Sequence, residues 1–335
     1  AEMVRLGAIP AVAAAKAASD RLVEALLADP GGAAFAPEAV ATPAPPSVPD
    51  SAASPALVPT PTQVPAARPR RVLFSAMKNE APFLLEWIAY HKVIGFDEIV
   101  ICSNPSNDGM EGLLAALAEA GEIRHLSVTV RPGSRPQGEA AWAFRKQVGH
   151  REGDWYLWLD ADEFLNIHVG DHTVDALIAA LGHRQCALIN WRVFGSGGNA
   201  RFPGRFIDPA FTGAAAASFV ANLEQKALFR HSRAVNGFAH KGINRPHFRQ
   251  PQMLTHDDVV TGSGGPLSEA KVINRRWLEG SNNARTARVH PDEFGWSLAQ
   301  INHYMVRTPE FFELKRLRGR GAAPAASAAS HKRHM

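Results

Sequence analysis

Cysteine is scarce in this sequence, because only Cys102 and Cys186 occur among its 335 residues. Two thiols cannot build a disulfide framework or a cysteine-based metal cluster, and such a chain fits a reducing compartment best. A run of 18 or more apolar residues is also absent, and the first residues lack the charged-then-apolar order of a secretion signal. The sequence therefore predicts a soluble, cytoplasmic protein, with a peripheral membrane contact left open.

Long basic blocks are missing as well. Lys and Arg together number 36 against 32 Asp and Glu, which gives a net charge of +4. This small excess does not provide the continuous basic surface to which nucleic acids bind, so no nucleic-acid partner is expected. Hydrophobic residues make up 46% of the chain, which is enough for one large or two ordinary domains with a sizeable core.

Composition divides the chain into four segments. Residues 33–70 consist mainly of Ala, Pro, Ser, Thr and Val, which cannot bury enough apolar surface to offset chain entropy, and a disordered linker is predicted there. Residues 1–32 contain good helix formers followed by Pro30-Gly31-Gly32, which is typical of one isolated helix. Residues 71–321 are predicted to form the folded domain, and residues 322–335 a flexible tail.

Strand and helix signals alternate from residue 71 onward. Alternation of this kind is typical of an α/β fold with a Rossmann-like, mostly parallel sheet flanked by helices. Thr173 is predicted to cap a helix that ends at Gly182. Residues 195–291 are richer in Gly, Asn, Arg and Pro, so loops and short elements are expected there. The predicted strands span residues 72–77, 98–102, 123–130, 155–159 and 187–194.

The apolar strand at Trp155–Leu159 is followed at once by Asp160, Asp162 and Glu163. A strand of this composition is buried, so the carboxylates are expected to emerge where the chain leaves the core. Asp160 and Asp162 are two residues apart and lie on one face of extended chain. Two such carboxylates can bind Mn²⁺ or Mg²⁺, which in turn can hold a diphosphate. The alternatives are a solvated acidic loop or a helix cap.

Polar residues follow three of the predicted strands. They lie at residues 78–80, 103–109 and 160–163. In open α/β sheets, ligands bind outside the carboxyl ends of the strands, so these three stretches are predicted to form one site.

This order of motifs resembles nucleotide-diphospho-sugar glycosyltransferases of family 2 type, in particular a subgroup with Lys-Asn-Glu after the first strand and Asp-Ala-Asp-Glu-Phe at the metal site. The resemblance covers residues 72–321 and implies the GT-A fold, a nucleotide-sugar donor and Mn²⁺ or Mg²⁺. Its markers in this sequence are Lys78-Asn79-Glu80, Glu86-Trp87, Tyr90-His91, Asn107-Asp108-Gly109, Asp160 to Phe164, Trp191, Phe194 to Gly197, Lys241-Gly242, Arg245-Pro246, Asn302-His303-Tyr304, Phe311, Lys315 and Arg318-Gly319.

The resemblance also implies roles for individual residues. Asp162 would bind the metal directly, Asp160 would bind it through water or face the ribose, and His303 would complete the metal shell. Glu80 and Asp108 would line the nucleoside pocket. Each of the last three has an alternative role: a structural histidine for His303, a helix N-cap for Asp108 and a solvated carboxylate for Glu80.

A cation near the diphosphate would help to bind it, and Lys241 and Arg245 are the candidates for this contact, with solvated surface side chains as the alternative. One departure from the related sequences concerns the turn after the second strand, where they commonly carry an acidic residue. This chain has Ser103 and Pro105 there, so the nucleobase is expected to be recognised differently.

Transfer to a hydroxyl requires a base that reaches the acceptor. Asp208 lies where many related sequences carry an acidic residue after Trp-x-x-Phe-Gly, and Glu163 and Glu224 are competing candidates. The predicted activity is metal-dependent, inverting transfer of a hexose-like sugar to a glycan, a lipid-linked molecule or another hydroxyl acceptor. The alternatives are a nucleotidyltransferase, which shares the metal and diphosphate chemistry, and a non-catalytic carbohydrate-binding module of the same fold.

Overall fold

The computed structural model describes residues 68–202, 204, 206–238, 245–248, 254–279 and 290–318. The main sheet contains β1 (Arg71–Met77), β2 (Glu98–Ser103), β3 (Arg124–Ser127), β4 (Trp155–Trp158), β5 (Glu163–Ile167), β6 (Cys186–Val193), β7 (Gln225–Arg230), β10 (Val259–Val260) and β11 (Ala299–His303). A separate pair is formed by β8 (Val235–Phe238) and β9 (Pro246–Phe248). The helices are α1 (Ala81–Val93), α2 (Met110–Glu119), α3 (Pro136–Gln147), α4 (Val174–Leu181), α5 (Ile207–Ala210), α6 (Val272–Leu278) and α7 (Pro309–Arg318).

The strands follow the order β3-β2-β1-β4-β7-β6-β11-β5, and β10 pairs with the start of β6. The first four strands are parallel to one another, as are β6 and β11, whereas β7 and β5 run antiparallel to their neighbours. The predicted mostly parallel α/β sheet is therefore confirmed.

Both faces of the sheet are covered, because consecutive side chains of β1 enter two different cores. Leu73 and Met77 pack into one apolar cluster, and Val72 and Phe74 into the other. This explains why the central strands read as continuous apolar runs rather than alternating ones.

The predicted cap of α4 is confirmed, since Thr173 Oγ1 accepts a hydrogen bond from Ala176 N. Two strands next to the acidic residues were not predicted, namely β5 and β11, which pair with each other. The predicted helix in residues 1–32 and the predicted tail at 322–335 lie outside the described residues. Of the predicted linker at 33–70, the structure describes only residues 68–70. No helix in the described part of the chain has the length and apolar character needed to cross a bilayer.

His91 joins α1 to β5 inside the core. Its Nδ1 atom lies 2.8 Å from Trp87 O, and its Nε2 atom accepts from Leu165 N over 3.4 Å. Burial lowers the pKa of His91 to about 3, although the contact with Trp87 O opposes this shift. Burial likewise lowers the pKa of His150 to about 3. Both imidazoles are therefore neutral in the folded protein at neutral pH.

We expect these histidines to make the fold sensitive to acid. An unfolded imidazole takes up a proton near pH 6.5 and these folded ones only near 3, so the unfolded state binds more protons between those values. The free energy of unfolding should fall as the pH drops below 6.5, by up to about 1.4 kcal/mol per pH unit for each histidine. Urea titrations between pH 5 and 7.5 measure this slope.

The His91→Asn variant should show a shallower slope, since asparagine has no proton to gain. Equal slopes for wild type and His91→Asn would refute the role of His91.

Candidate active site

Two loops at the carboxyl ends of β1 and β2 are bonded to each other. Asn79 N donates to Ser106 Oγ over 3.2 Å, and Asn107 N donates to Asn79 Oδ1 over 3.0 Å. Asn79 has a φ of 52°, a left-handed conformation that asparagine tolerates better than most residues. The predicted meeting of these two loops is therefore present.

Asp108 holds the starts of two helices. Its Oδ2 atom accepts from Ala81 N at the start of α1 over 2.9 Å, and its Oδ1 atom accepts from Met110 N at the start of α2 over 3.1 Å. Both contacts place a carboxylate at a helix N-terminus, where it is favoured by the helix dipole. Asp108 thus accepts from the first amide of each helix, although the N-cap position of α2 itself is occupied by Gly109.

The third stretch, residues 160–163, is a tight connection between β4 and β5 that we call the acidic turn. Glu163 N donates to Asp160 O, and Asp160 N donates to Glu163 Oε2 over 2.7 Å. The expectation that the carboxylates leave the core is wrong for two of them, because Asp162 is 4% exposed and Glu163 fully buried. The chain turns back into the sheet as β5, which keeps both side chains inside.

Lys226 on β7 joins two carboxylates of the acidic turn. Its Nζ atom lies 3.1 Å from Asp160 Oδ2 and 2.8 Å from Glu163 Oε2, and the side chain is 1% exposed. Burial acts to lower the pKa of Lys226, but the attraction of both carboxylates raises it. Burial raises the pKa of Glu163 to about 7, against the attraction of Lys226. Lys226 is therefore a buried positive charge that fixes the acidic turn.

Asp162 lies between His303 on β11 and Lys315 on α7. His303 Nε2 is 3.5 Å from Asp162 Oδ2, and Lys315 Nζ donates to the same oxygen. Burial would raise the pKa of Asp162, but the charges of Lys315 and His303 hold it well below its usual range. Asp162 is therefore ionised at neutral pH, although it is buried.

Glu80 pairs with a cation from the far end of the chain. Arg307 Nη1 donates to Glu80 Oε2 over 2.9 Å, Arg307 Nη2 donates to Ala161 O over 3.0 Å, and the guanidinium lies over the Phe83 ring. Glu80 is buried, so the alternative of a solvated carboxylate is wrong. The pair links the loop after β1 to the acidic turn.

The donor atoms around Asp162 fit a hard divalent cation in part. Asp162 Oδ2 and His303 Nε2 place an oxygen and a nitrogen 3.5 Å apart, both on buried side chains. Asp160 instead faces Lys226, and the described residues contain no group of three His, Cys, Asp or Glu side chains arranged to hold a metal. Two protein ligands are sufficient where a substrate phosphate supplies the others.

Ser103, noted as a departure in the sequence, belongs to a small polar cluster. Its Oγ atom donates to Glu111 Oε2 over 3.1 Å and lies 2.9 Å from His125 Nε2. Burial lowers the pKa of His125, although Glu111 opposes this shift. A carboxylate therefore lies near the end of β2, but it is that of Glu111 on α2 and not one from the turn after β2.

Two predicted residues are not placed by their side chains. Asp208 belongs to the short helix α5, of which the backbone is described and this side chain is not. Lys241 lies outside the described residues. Their assigned roles stay predictions.

Sequence reasoning missed Lys226 and Arg307, and it gave Lys315 no role. The sequence does contain a signal for Lys226, which is a single lysine between Gln225 and the apolar residues of β7. A lysine in a buried strand requires a partner of opposite charge. Arg307 left no comparable signal, since it follows β11 in an irregular segment without a strand or helix pattern.

No family model matches this chain. Segments of it are similar to three curated glycosyltransferase family 92 proteins. The one from Ricinus communis is 30% identical over 101 residues, which is 30% of this chain and 18% of the relative. Those from Arabidopsis thaliana and Oryza sativa subsp. japonica are 35% identical over 86 residues and 28% identical over 144, covering 26% and 41% of this chain and 14% and 23% of the relatives. The matches thus span less than a quarter of each relative.

Solved structures show low similarity. S. aureus TarS 1–349 has a TM-score of 0.36 at 14% identity, covering 74% of this chain and 64% of that chain. Glucosyl-3-phosphoglycerate synthase from Mycobacterium tuberculosis, in complex with Mn²⁺, UDP and glucosyl-3-phosphoglycerate, has a TM-score of 0.25 at 22% identity, covering 38% and 45%. The curated matches agree with the resemblance at the level of glycosyltransferases, while family 2 and its subgroup stay predictions.

Proposed function

We propose that this chain is a glycosyltransferase that moves a sugar from a nucleotide-sugar donor to an acceptor hydroxyl with the help of Mn²⁺ or Mg²⁺. The observation that carries the proposal is the pair Asp162 and His303, held side by side at the edge of the sheet where the loops after β1 and β2 meet. The similarity of segments to family 92 glycosyltransferases supports the same class.

The donor's diphosphate is the group that the site has to bind. A bound divalent cation would stabilise the negative charge that develops on the departing diphosphate. Asp162 and His303 would hold that cation, and Asp160, which is 33% exposed at its side chain, would bind it through water or face the ribose. Lys241 is the proposed contact to a phosphate oxygen.

Glu80 and Asp108 would form the nucleoside side of the pocket. Both are engaged by the protein, Glu80 by Arg307 and Asp108 by two helix N-termini. Their main role would therefore be to keep the two loops in the geometry that receives the nucleoside. Exposed Asp108 also has lone pairs left for a ribose hydroxyl.

Direct displacement with inversion needs one base at the acceptor hydroxyl. Asp208 remains the proposed base. For Glu163, a pKa of about 7 suits a base, but full burial and the contact with Lys226 favour a role in holding Asp160. The acceptor would be a glycan, a lipid-linked molecule or another hydroxyl compound.

A thermal-shift measurement tests this function. A nucleotide-sugar and Mn²⁺ together should raise the melting temperature by several degrees, because a ligand at a hundred times its Kd stabilises the folded state by about 2.7 kcal/mol. Either ligand alone should give a smaller shift, since each supplies part of the other's binding site. A panel of donors with different bases and sugars identifies the donor. No shift with any donor in the presence of Mn²⁺ would contradict the proposal.

A further inference from the structure

Lys315 reaches the candidate metal site from α7. Its Nζ atom donates to Asp162 Oδ2 and, over 3.2 Å, to Met305 O. The helix is anchored separately, because Phe311 packs edge-on against Phe83 and Phe202. The contact with Asp162 is therefore a second attachment of α7 to the rest of the fold.

The three cations around the acidic turn differ in how firmly they are held. Lys226 is 1% exposed and bound by two carboxylates, and Arg307 is 7% exposed and bound by Glu80 and Ala161 O. Lys315 is 36% exposed and pairs with Asp162 alone among the described carboxylates. Its ammonium can return to water by a rotation of its own side chain, whereas release of Lys226 would leave Glu163 unpaired in the core.

Lys315 and a divalent cation would compete for one oxygen. Asp162 Oδ2 is the atom that faces both His303 and Lys315, and a metal bound there would stand next to an ammonium of the same sign. Repulsion between two cations a few ångströms apart in a partly buried site is large. Lys315 and a divalent cation therefore cannot contact Asp162 at the same time.

We propose that Lys315 is an exchangeable counter-cation: it neutralises buried Asp162 in the metal-free protein, and binding of the divalent cation displaces it and loosens α7. This inference rests on the proposed metal site at Asp162 and His303. It explains the contact of Lys315 with Asp162, because a buried carboxylate needs a neutralising positive charge when no metal is bound. It also makes the metal site and α7 thermodynamically coupled.

The test compares Mn²⁺ binding to the wild-type chain and to Lys315→Met, measured without donor by the electron paramagnetic resonance of free Mn²⁺. Methionine keeps the length of the side chain and removes the charge. Loss of the competing ammonium should lower the Kd for Mn²⁺ by roughly tenfold, within the usual range of coupling between sites. Arg316→Met is the matched control, since Arg316 lies on the same helix and pairs with Glu313. Its Kd should stay within about twofold of wild type, as expected of a surface charge.

Hydrogen exchange provides a second measurement, because coupling is reciprocal. Mn²⁺ should accelerate exchange of the amides of α7 in the wild type and leave them unchanged in Lys315→Met, in which the contact is already lost. Equal Kd values for wild type and Lys315→Met would overturn the exchange of cations while leaving the metal site intact. Absence of Mn²⁺ binding in both proteins without a donor would overturn the inference, whereas the metal site itself is tested by the thermal shift of donor and Mn²⁺ together.

Discussion

The Asp162→Asn variant is expected to lose sugar transfer by about a thousandfold, the largest effect of any single substitution in this site. Asparagine keeps the shape of the side chain but removes the charge that a divalent cation needs. The initial rate of nucleoside diphosphate release, measured with saturating donor and Mn²⁺, gives the effect. A rate within tenfold of wild type would remove Asp162 from the metal site.

Burial of Asp162 adds an effect on stability that a solvent-facing carboxylate would not have. The variant leaves Lys315 without its counter-charge and His303 without its acceptor, which should cost about 1–3 kcal/mol of unfolding free energy. Activity must therefore be measured well below the melting temperature. Asp171→Asn is the control, because exposed Asp171 lies beyond the opposite end of β5 and bonds to Thr173 only among the described side chains.

The Lys226→Met variant is expected to be destabilised by about 3–5 kcal/mol, the cost of leaving a buried charge without its partner. Here Asp160 and Glu163 both lose the ammonium that holds them, and Glu163 is fully buried. Urea titrations at pH 7.5 measure the loss. Lys146→Met removes an exposed charge from α3 and should change the unfolding free energy by less than about 0.5 kcal/mol.

A second substitution tests whether the lost stability comes from the ion pair between Lys226 and Glu163. Glu163→Gln removes the buried carboxyl group that Lys226→Met leaves without its partner, so the double variant should recover part of the lost stability. If the two single effects simply add in the double variant, the ion pair between Lys226 and Glu163 does not account for the loss.

Local features of the fold were predictable from the sequence because they depend on neighbouring residues. The apolar run of β1 and the Thr173 cap of α4 are examples. The pairing of β5 with β11 joins residues that are more than 130 positions apart, as in the register of His303 with Glu163. No short-range pattern specifies such a partner, and both strands are only five residues long.

The candidate site likewise contains residues that the sequence predicted and residues that it did not. The family resemblance assigned Asp162 and His303 to one metal site, and in the structure their side chains lie 3.5 Å apart. Their compensating cations were not predicted, because each comes from a distant element: Lys226 is 66 positions from Asp160, and Arg307 is 227 from Glu80. The need for such cations was not predicted either, because the sequence analysis expected the carboxylates of the acidic turn to leave the core, whereas Asp162 and Glu163 are buried and require positive partners.

The most direct test of the central claim is release of nucleoside diphosphate from a panel of nucleotide-sugars by the purified chain, with Mn²⁺ and with excess chelator. The account predicts that at least one donor is cleaved in the presence of Mn²⁺, that the chelator abolishes cleavage, and that Asp162→Asn is inactive towards the same donor. Cleavage that persists undiminished in the chelator and in Asp162→Asn would contradict the account, as would the absence of cleavage of every donor by the wild type.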